Sequence, residues 1–486
     1  MNDIVIVFDD TNIKSEIIRD VIGEKGFADI VVRKKRLEEY YSEMLLSKYP
    51  GAEWFTMGSV FEFNALRHEL EQKHKEDTRV IHCFSSFFIT DKEKVLLSFE
   101  KLKFIDDANR MVCDGKLVAV IFPDRQSYDT YLKDICGGKT SMEAAKGVRD
   151  YFCMDGVVDI GVVGNFIQCI TGNFDSRYFN SLQGNEYIIV KSSKNKKKIK
   201  SEYQYYQLLP EDMRFWFVMP FSYEEDDEKA SYTMERLHVT DLAVKWVHGS
   251  IDESEFEMIL DKYFYFFRSR HRRMVDKKEY DRISDALYID KVKKRVDELK
   301  ICKEYSIIAK LVEAGCEEKA IEVLLDRYFW LKTKVEKRVR YPLISVIGHG
   351  DPCFANTLYN KSTRMLKFID PRGALTEEEL WTDPYYDIAK LSHSICGRYD
   401  FFNSALFDIR INEKFQYELH IDFDNTKYME IFKNVLEKNG YDYLTVRLYE
   451  ASLFLSMLPL HIDYPYKVFG FILNVSNILE EIGKYV

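Results

Sequence analysis

The sequence predicts an α/β domain over residues 1–155, followed by an α+β region. That region has a small β-rich lobe over 156–238 and a large helical lobe over 239–486. Three observations predict it. Short apolar runs alternate with amphipathic helical patterns through the first 150 or so residues. Small residues cluster around Gly156–Gly164, and strand-rich sequence follows. From about Thr240 the pattern is helical, interrupted by the strands Leu343–Ile347 and Met365–Ile369.

Taken in order, strands are expected at Ile4–Phe8, Asp29–Val32, Arg79–Phe84 and Leu117–Phe122, with helices at Ser15–Lys25, Arg36–Ser47, Phe63–His74 and Ser127–Ile135. Apolar strands separated by helices imply a mainly parallel sheet. Phe174–Arg236 reads as strands with one helix, Lys196–Leu209, and the tail from Asp387 to Val486 reads as helical.

A chain of 486 residues is long enough for two or three domains. Its net charge of −10 gives no broad positive field, which argues against nucleic acid as a partner. No apolar run reaches the roughly 18 residues of a membrane span. The start, Met1-Asn2-Asp3 before Ile4–Phe8, is too short and acidic for a signal peptide. The nine cysteines are scattered, odd in number and without a Cys-x-x-Cys pair, so reduced thiols and a cytoplasmic location are expected.

The chemistry concentrates in Val346-Ile347-Gly348-His349-Gly350-Asp351-Pro352-Cys353-Phe354-Ala355-Asn356, followed by Leu366-Lys367-Phe368-Ile369-Asp370-Pro371-Arg372. Phosphoryl transfer asks for one carboxylate to orient the attacking hydroxyl and take its proton, and for oxygen ligands to hold Mg²⁺ on the nucleotide phosphates. Asp351, with His349 beside it, is the candidate catalytic group. Asn356 is the first candidate metal ligand. Asp370, delivered at the end of a short apolar strand, is the second. The turn Asn360–Thr363 between two strands forms a hairpin that can bring Asn356 and Asp370 together.

His-x-Asp-x-x-x-x-Asn before a strand-terminal Asp resembles the protein-kinase-like superfamily. With Gly350 and Asp-Pro-Cys-Phe-Ala-Asn it is similar to the aminoglycoside phosphotransferase and choline/ethanolamine kinase branch. The resemblance covers about residues 165–486. It implies a bilobal kinase-like domain that uses ATP and Mg²⁺ to phosphorylate a hydroxyl of a small molecule. Protein kinases usually carry Arg where this chain has Gly350. Sixteen residues separate Asp370 from Asp387, leaving no room for a long peptide-binding segment.

The resemblance also implies roles for further residues. Asp387, in Tyr385–Leu391, buttresses the catalytic loop. Lys191, ending the strand Glu186–Lys191, holds the nucleotide phosphates and pairs with Glu202, with Lys194 as competitor. Met234, Glu235 and Arg236 lie beside the base. Thr171–Ser176 and Ser181–Asn185 are the candidate phosphate-covering turns. Helices between the base site and His349, with the tail, supply the acceptor pocket. Its aromatic and acidic candidates are Tyr263, Phe264, Tyr265, Phe266, Phe267, Tyr328, Phe329, Trp330, Asp383, Tyr385 and Tyr386, against which a cationic amine could sit. The first domain resembles a nucleotide-sugar-binding or nucleotidyltransferase-like fold without its Gly-x-Gly-x-Arg loop. Asp9-Asp10-Thr11 also suggests a phosphatase. Fusion of such modules points by analogy to surface-polysaccharide pathways. Two other readings compete: a nucleotide-binding module without turnover, and a bifunctional enzyme.

Overall fold

The computed structural model describes residues 3–171, 181–185, 187–315, 317–339 and 342–486. The chain forms two compact units, Met1–Asp175 and Ser176–Val486. Among the described residues no helix is long and apolar enough to cross a membrane, and the described cysteines are free thiols.

Unit 1 is built on a six-stranded sheet in the order Glu53–Met57, Ile4–Asp9, Arg79–Phe84, Lys116–Phe122, Asn109–Cys113, Asp150–Cys153. Ile4–Asp9 pairs in parallel with strands on both sides, and its Val5–Phe8 stretch is fully buried, as a central strand covered on both faces requires. Asn109–Cys113 and Asp150–Cys153 also pair in parallel, so three of the five pairings are parallel as expected, and one strand departs. Lys116–Phe122 runs antiparallel to both of its neighbours. The pairing with Asn109–Cys113 has a local cause: Asp114 and Gly115 both have positive φ (49° and 75°), the two-residue turn that closes a tight hairpin. The predicted strand Asp29–Val32 shrinks to Val31–Val32, because Arg33 and Lys34 (φ 52° and 66°) turn the chain back onto Lys35–Arg36.

The first unit also extends past the expected end at residue 155. Val157–Asp159 pairs antiparallel with Phe87–Ile89. The helix Val163–Ile170 then buries Phe166, Ile167, Cys169 and Ile170.

Unit 2 opens with a four-stranded antiparallel sheet in the order Ser181–Gly184, Ile188–Ser193, Ala230–Glu235, Pro220–Glu225. Ser181–Asn185, expected as a turn, is therefore largely strand. The helix Lys196–Leu208 starts at Asn195, whose side chain caps the Lys198 amide, and buries Ile199, Glu202 and Tyr205. Buried Ile199, Val218, Ala230, Tyr232 and Met234 form an apolar cluster under this sheet, with Ile189, Leu237, Leu358 and Ile369 packed against it.

Helices make up most of the remainder, and the helix Tyr443–Met457 is buried on every side from Thr445 onward, so it is the centre of a second, larger core. The tail is not wholly helical: Asp408–Ile411 and Tyr417–His420 form a hairpin. Ile344–Ile347 pairs with Arg272–Met274 and Trp381–Thr382, while Thr357–Asn360 and Met365–Phe368 form a separate hairpin. Backbone bonds tie that hairpin to the chain on either side of the four-stranded sheet: Val218 N–H to the Phe368 carbonyl (3.1 Å), Phe368 N–H to that of Trp216 (2.7 Å), and Tyr359 N–H to that of Thr240 (3.2 Å).

Candidate functional site

The strand Ile344–Ile347 runs out into Gly348-His349-Gly350-Asp351, and buried groups hold this loop. Asp387 accepts the His349 amide (2.9 Å) and the Gly350 amide (2.8 Å). Arg270 donates to the same carboxylate at 2.9 Å, and both side chains are fully buried. The Tyr205 hydroxyl donates to the Gly348 carbonyl at 2.9 Å. Tyr385 holds the cap position of the helix Tyr386–Ile395, so the Asp387 carboxylate serves the loop and not its own helix end.

His349 was expected with Asp351 in catalysis, and its environment corrects that. It is fully buried and stacked on Phe217. The Asp351 amide can only donate, so Nδ1 accepts it at 3.0 Å. The Ile369 carbonyl can only accept, so Nε2–H donates to it at 3.1 Å. Both nitrogens are committed, and burial lowers the pKa, so the ring is neutral. His349 is a positioning residue that joins the Asp351 loop to the end of the hairpin.

Gly350 has φ +84°, and a Cβ there would lie 2.5 Å from Cβ of Arg372, whose stem crosses it. A side chain would meet both a left-handed backbone and an occupied space. Gly350→Ala is therefore expected to destabilise the fold by about 1–3 kcal/mol, read as a shift of the urea midpoint.

The hairpin does what its spacing promised. Ile369 N–H donates to the Asn356 carbonyl at 3.0 Å, which sets Asn356 beside the segment that carries Asp370. The Asn356 side-chain amide donates to the Asp351 carbonyl at 3.0 Å, leaving its oxygen for a cation. Asp370 has φ +56°, a conformation non-glycine residues hold where the surroundings impose it. Its carboxylate accepts from Lys191 Nζ at 2.7 Å. Lys191 also donates to Glu202 at 2.7 Å, and Tyr232 to Glu202 at 3.1 Å. Burial works against the Lys191 charge, but Asp370 and Glu202 outweigh it and raise the pKa. Lys194, the competing lysine, is exposed.

Asp351, Asn356, Asp370 and Glu202 line one cleft of about 330 Å³ with Lys198, Lys291, Gly350, Pro371, Arg372, Tyr386 and Lys390. Among the described residues no three His, Cys, Asp or Glu side chains form a closed metal cage. One carboxylate and one amide oxygen fit Mg²⁺, a hard cation that keeps water and takes its remaining ligands from phosphate.

Sequence reasoning missed Lys390. Its Nζ lies 3.0 Å from Asp351 Oδ1, and its side chain is 12% exposed. Burial disfavours its charge, and the Asp351 carboxylate outweighs that, raising the pKa. The available signal was its place three residues after Asp387, on the same face of one helix.

Other expectations divide. Met234 is buried in the apolar cluster, with Ile189 and Leu358 packed against it. Glu235 is exposed. Arg236 turns its amide to the Tyr187 carbonyl (3.0 Å) and its guanidinium to that of Asn185 (2.8 Å), so it braces a turn. Apart from Thr171, the turn Thr171–Ser176 lies outside the described residues. Of the acceptor candidates, Tyr263, Phe264, Phe266, Phe267, Tyr328, Asp383 and Tyr385 are core residues, each at most 4% exposed, and Tyr386 alone of that group lines the cleft. Phe329 packs against the same core, and Tyr265 and Trp330 are exposed.

In unit 1, Asp9 is fully buried and bonded to His82 (3.0 Å) and Thr11 (2.9 Å to its amide). Asp10 accepts from Ser85 (2.6 Å) and the Ala28 amide (3.1 Å). Carboxylates bonded internally in this way do not present the nucleophile that a phosphatase needs.

No protein-family model matches this chain, and no curated protein matches it. Among solved structures, the apo form of a thermostable mutant of aminoglycoside phosphotransferase APH(4)-Ia aligns at 13% identity, over 62% of this chain and 89% of that one, with a TM-score of 0.34. A ternary complex of a thermostable mutant of the same enzyme with AMP-PNP and hygromycin B aligns at 10% identity, over 63% and 91%, at 0.36. A 4-diphosphocytidyl-2C-methyl-D-erythritol synthase aligns at 9% identity, over 32% and 90%, at 0.20.

Proposed function

We propose that unit 2 is an ATP- and Mg²⁺-dependent phosphotransferase acting on a hydroxyl of a small molecule. The observation that carries the reading is Lys191, bonded at once to Glu202 and Asp370 in the cleft that Asp351 and Asn356 also line. Lys191, fixed by Glu202, would hold the nucleotide phosphates, and the apolar cluster around Met234, Ile189 and Leu358 would take the base. Mg²⁺ between Asn356 and Asp370 would neutralise charge on the phosphates.

Asp351 is 38% exposed, so an acceptor can reach it. Its carboxylate would orient the acceptor hydroxyl and take the proton. The hydroxyl oxygen would then bond to the γ-phosphorus while the bond to the β-phosphate oxygen breaks, releasing ADP. The segment 371–386 supports a small acceptor. It is compact, with the turn Glu377–Leu380 leading into Trp381–Thr382, which pairs back onto Ile347 and Val346.

Nucleotide binding gives a direct test. Saturating MgATP at about a hundred times its Kd is expected to add about 2.7 kcal/mol to stability, seen as a raised Tm. The gain should fall away without Mg²⁺ and in Asp370→Asn, which keeps Glu202 as partner of Lys191. An equal gain in Asp370→Asn would remove Asp370 from the metal site.

A further inference from the structure

We infer that the acceptor carries an oxyanion, a phosphate or a carboxylate, close to the hydroxyl that is phosphorylated, and that Lys291, Arg372 and Lys390 hold it around the hydroxyl of Tyr386. The inference rests on the phosphotransferase reading and narrows its substrate class.

The charge of the cleft points there. Its lining carries the cations Lys198, Lys291, Arg372 and Lys390 against the carboxylates Glu202, Asp351 and Asp370. Two of those carboxylates, Glu202 and Asp370, are bonded to Lys191. The third, Asp351, is paired with Lys390. Among the described residues, neither Lys291 nor Arg372 pairs with a carboxylate. Lys291 is half-buried and Arg372 exposed, and two cations without carboxylate partners on the wall of a cleft favour an anion there.

The wall is also built, not merely charged. Tyr386 is 2% exposed, and Lys291 Nζ donates to its hydroxyl at 2.9 Å while lying 5.3 Å from its ring centre. Lys390 is nearly buried, and the Arg372 stem is laid across Gly350. Burial pushes the Tyr386 hydroxyl up, and Lys291, Lys390 and Arg372, which line the same cleft, draw it down.

Position separates this wall from the nucleotide side. Lys198 stands on the helix that fixes Lys191. Lys291 opens the helix Lys291–Lys300 in the long helical stretch between the sheet and His349, and Tyr386 and Lys390 share the helix that braces the catalytic loop. An oxyanion among them would lie one side chain from Asp351. A protonated amine there would meet Lys291 and Arg372 without a balancing carboxylate, so amino alcohols and aminosugars suit this wall poorly.

The test is calorimetric titration of the full chain, with and without saturating Mg·AMP-PNP. The probes are inorganic phosphate, glycerol phosphate, glucuronate, glucose and glucosamine. The expected result is that phosphate binds with the nucleotide in place and glucosamine does not. Lys291→Ala should weaken phosphate by about tenfold, Lys291→Arg should retain it, and Mg·AMP-PNP affinity should stay the same in both. Tighter glycerol phosphate or tighter glucuronate identifies the anion as a phosphate ester or a carboxylate. Competition between phosphate and nucleotide overturns the inference, because the cations then serve the nucleotide. So do an undiminished Lys291→Ala, a preference for glucosamine, or no binding of any anion. If Mg·AMP-PNP fails to bind while phosphate binds in a Lys291-dependent way, the phosphotransferase reading falls and the anion site stands.

Discussion

Asp351→Asn is expected to lower kcat by about 10²–10⁴-fold, the contribution a positioned general base makes, with nucleotide affinity nearly unchanged. The loop that carries Asp351 is fixed without help from its carboxylate. Asp387 holds the amides of His349 and Gly350, His349 holds the amide of Asp351, and Asn356 holds its carbonyl. Asn at 351 keeps size and backbone contacts and loses the proton acceptor. The carboxylate has one other duty, the 3.0 Å contact with Lys390. That pair is open to solvent at Asp351 but nearly buried at Lys390, so losing the counter-charge should cost about 1–3 kcal/mol. Steady-state turnover beside a thermal melt separates the effects. A variant still folded at the assay temperature with kcat lost assigns the base, and unchanged turnover removes Asp351 from the chemistry.

Arg270→Ala should give the largest loss of stability, about 3–5 kcal/mol. Asp387 and Arg270 are both fully buried and bonded at 2.9 Å. Removing the guanidinium leaves a buried carboxylate with two amide donors and no counter-charge, and it also frees the Pro384 carbonyl, which Arg270 binds at 3.2 Å. The double variant Arg270→Met with Asp387→Asn carries no buried charge and should recover a large part of the loss. Urea unfolding of the three proteins reads this out. A single variant as stable as the wild type would show that the pair does not hold the loop.

Much of the site was legible in the sequence because local rules place it. A four-residue turn between two short strands sets Asn356 beside Ile369-Asp370, and a strand carrying Lys191, which runs on to Ser193 past its expected end, presents the lysine to the next helix. Lys390 was not legible in the same way. Its contact with Asp351 spans the loop, a hairpin and a helix, so it depends on how the helix Tyr386–Ile395 packs. The aromatic run Tyr263–Phe267 misled for a physical reason. Helical spacing puts Tyr263 and Phe266 on one face whether that face meets a ligand or a core, and here it meets Phe368 and Trp216. His349 shows a third limit, since its role follows from which backbone groups its two nitrogens meet. The hairpin of Asn109–Cys113 with Lys116–Phe122 was missed, although Asp114-Gly115 is a dipeptide that favours a tight antiparallel turn.

The central claim is that one cleft of unit 2 moves a phosphoryl group from a nucleotide to a small hydroxyl acceptor. Its most direct test is transfer of label from γ-labelled ATP, with Mg²⁺, to a panel of anionic, neutral and cationic hydroxyl compounds. Labelled low-mass product from the wild type, strongest with an anionic member and absent with Asp351→Asn, is the predicted result. Tight MgATP binding by both proteins with no labelled product from any member of the panel would contradict it.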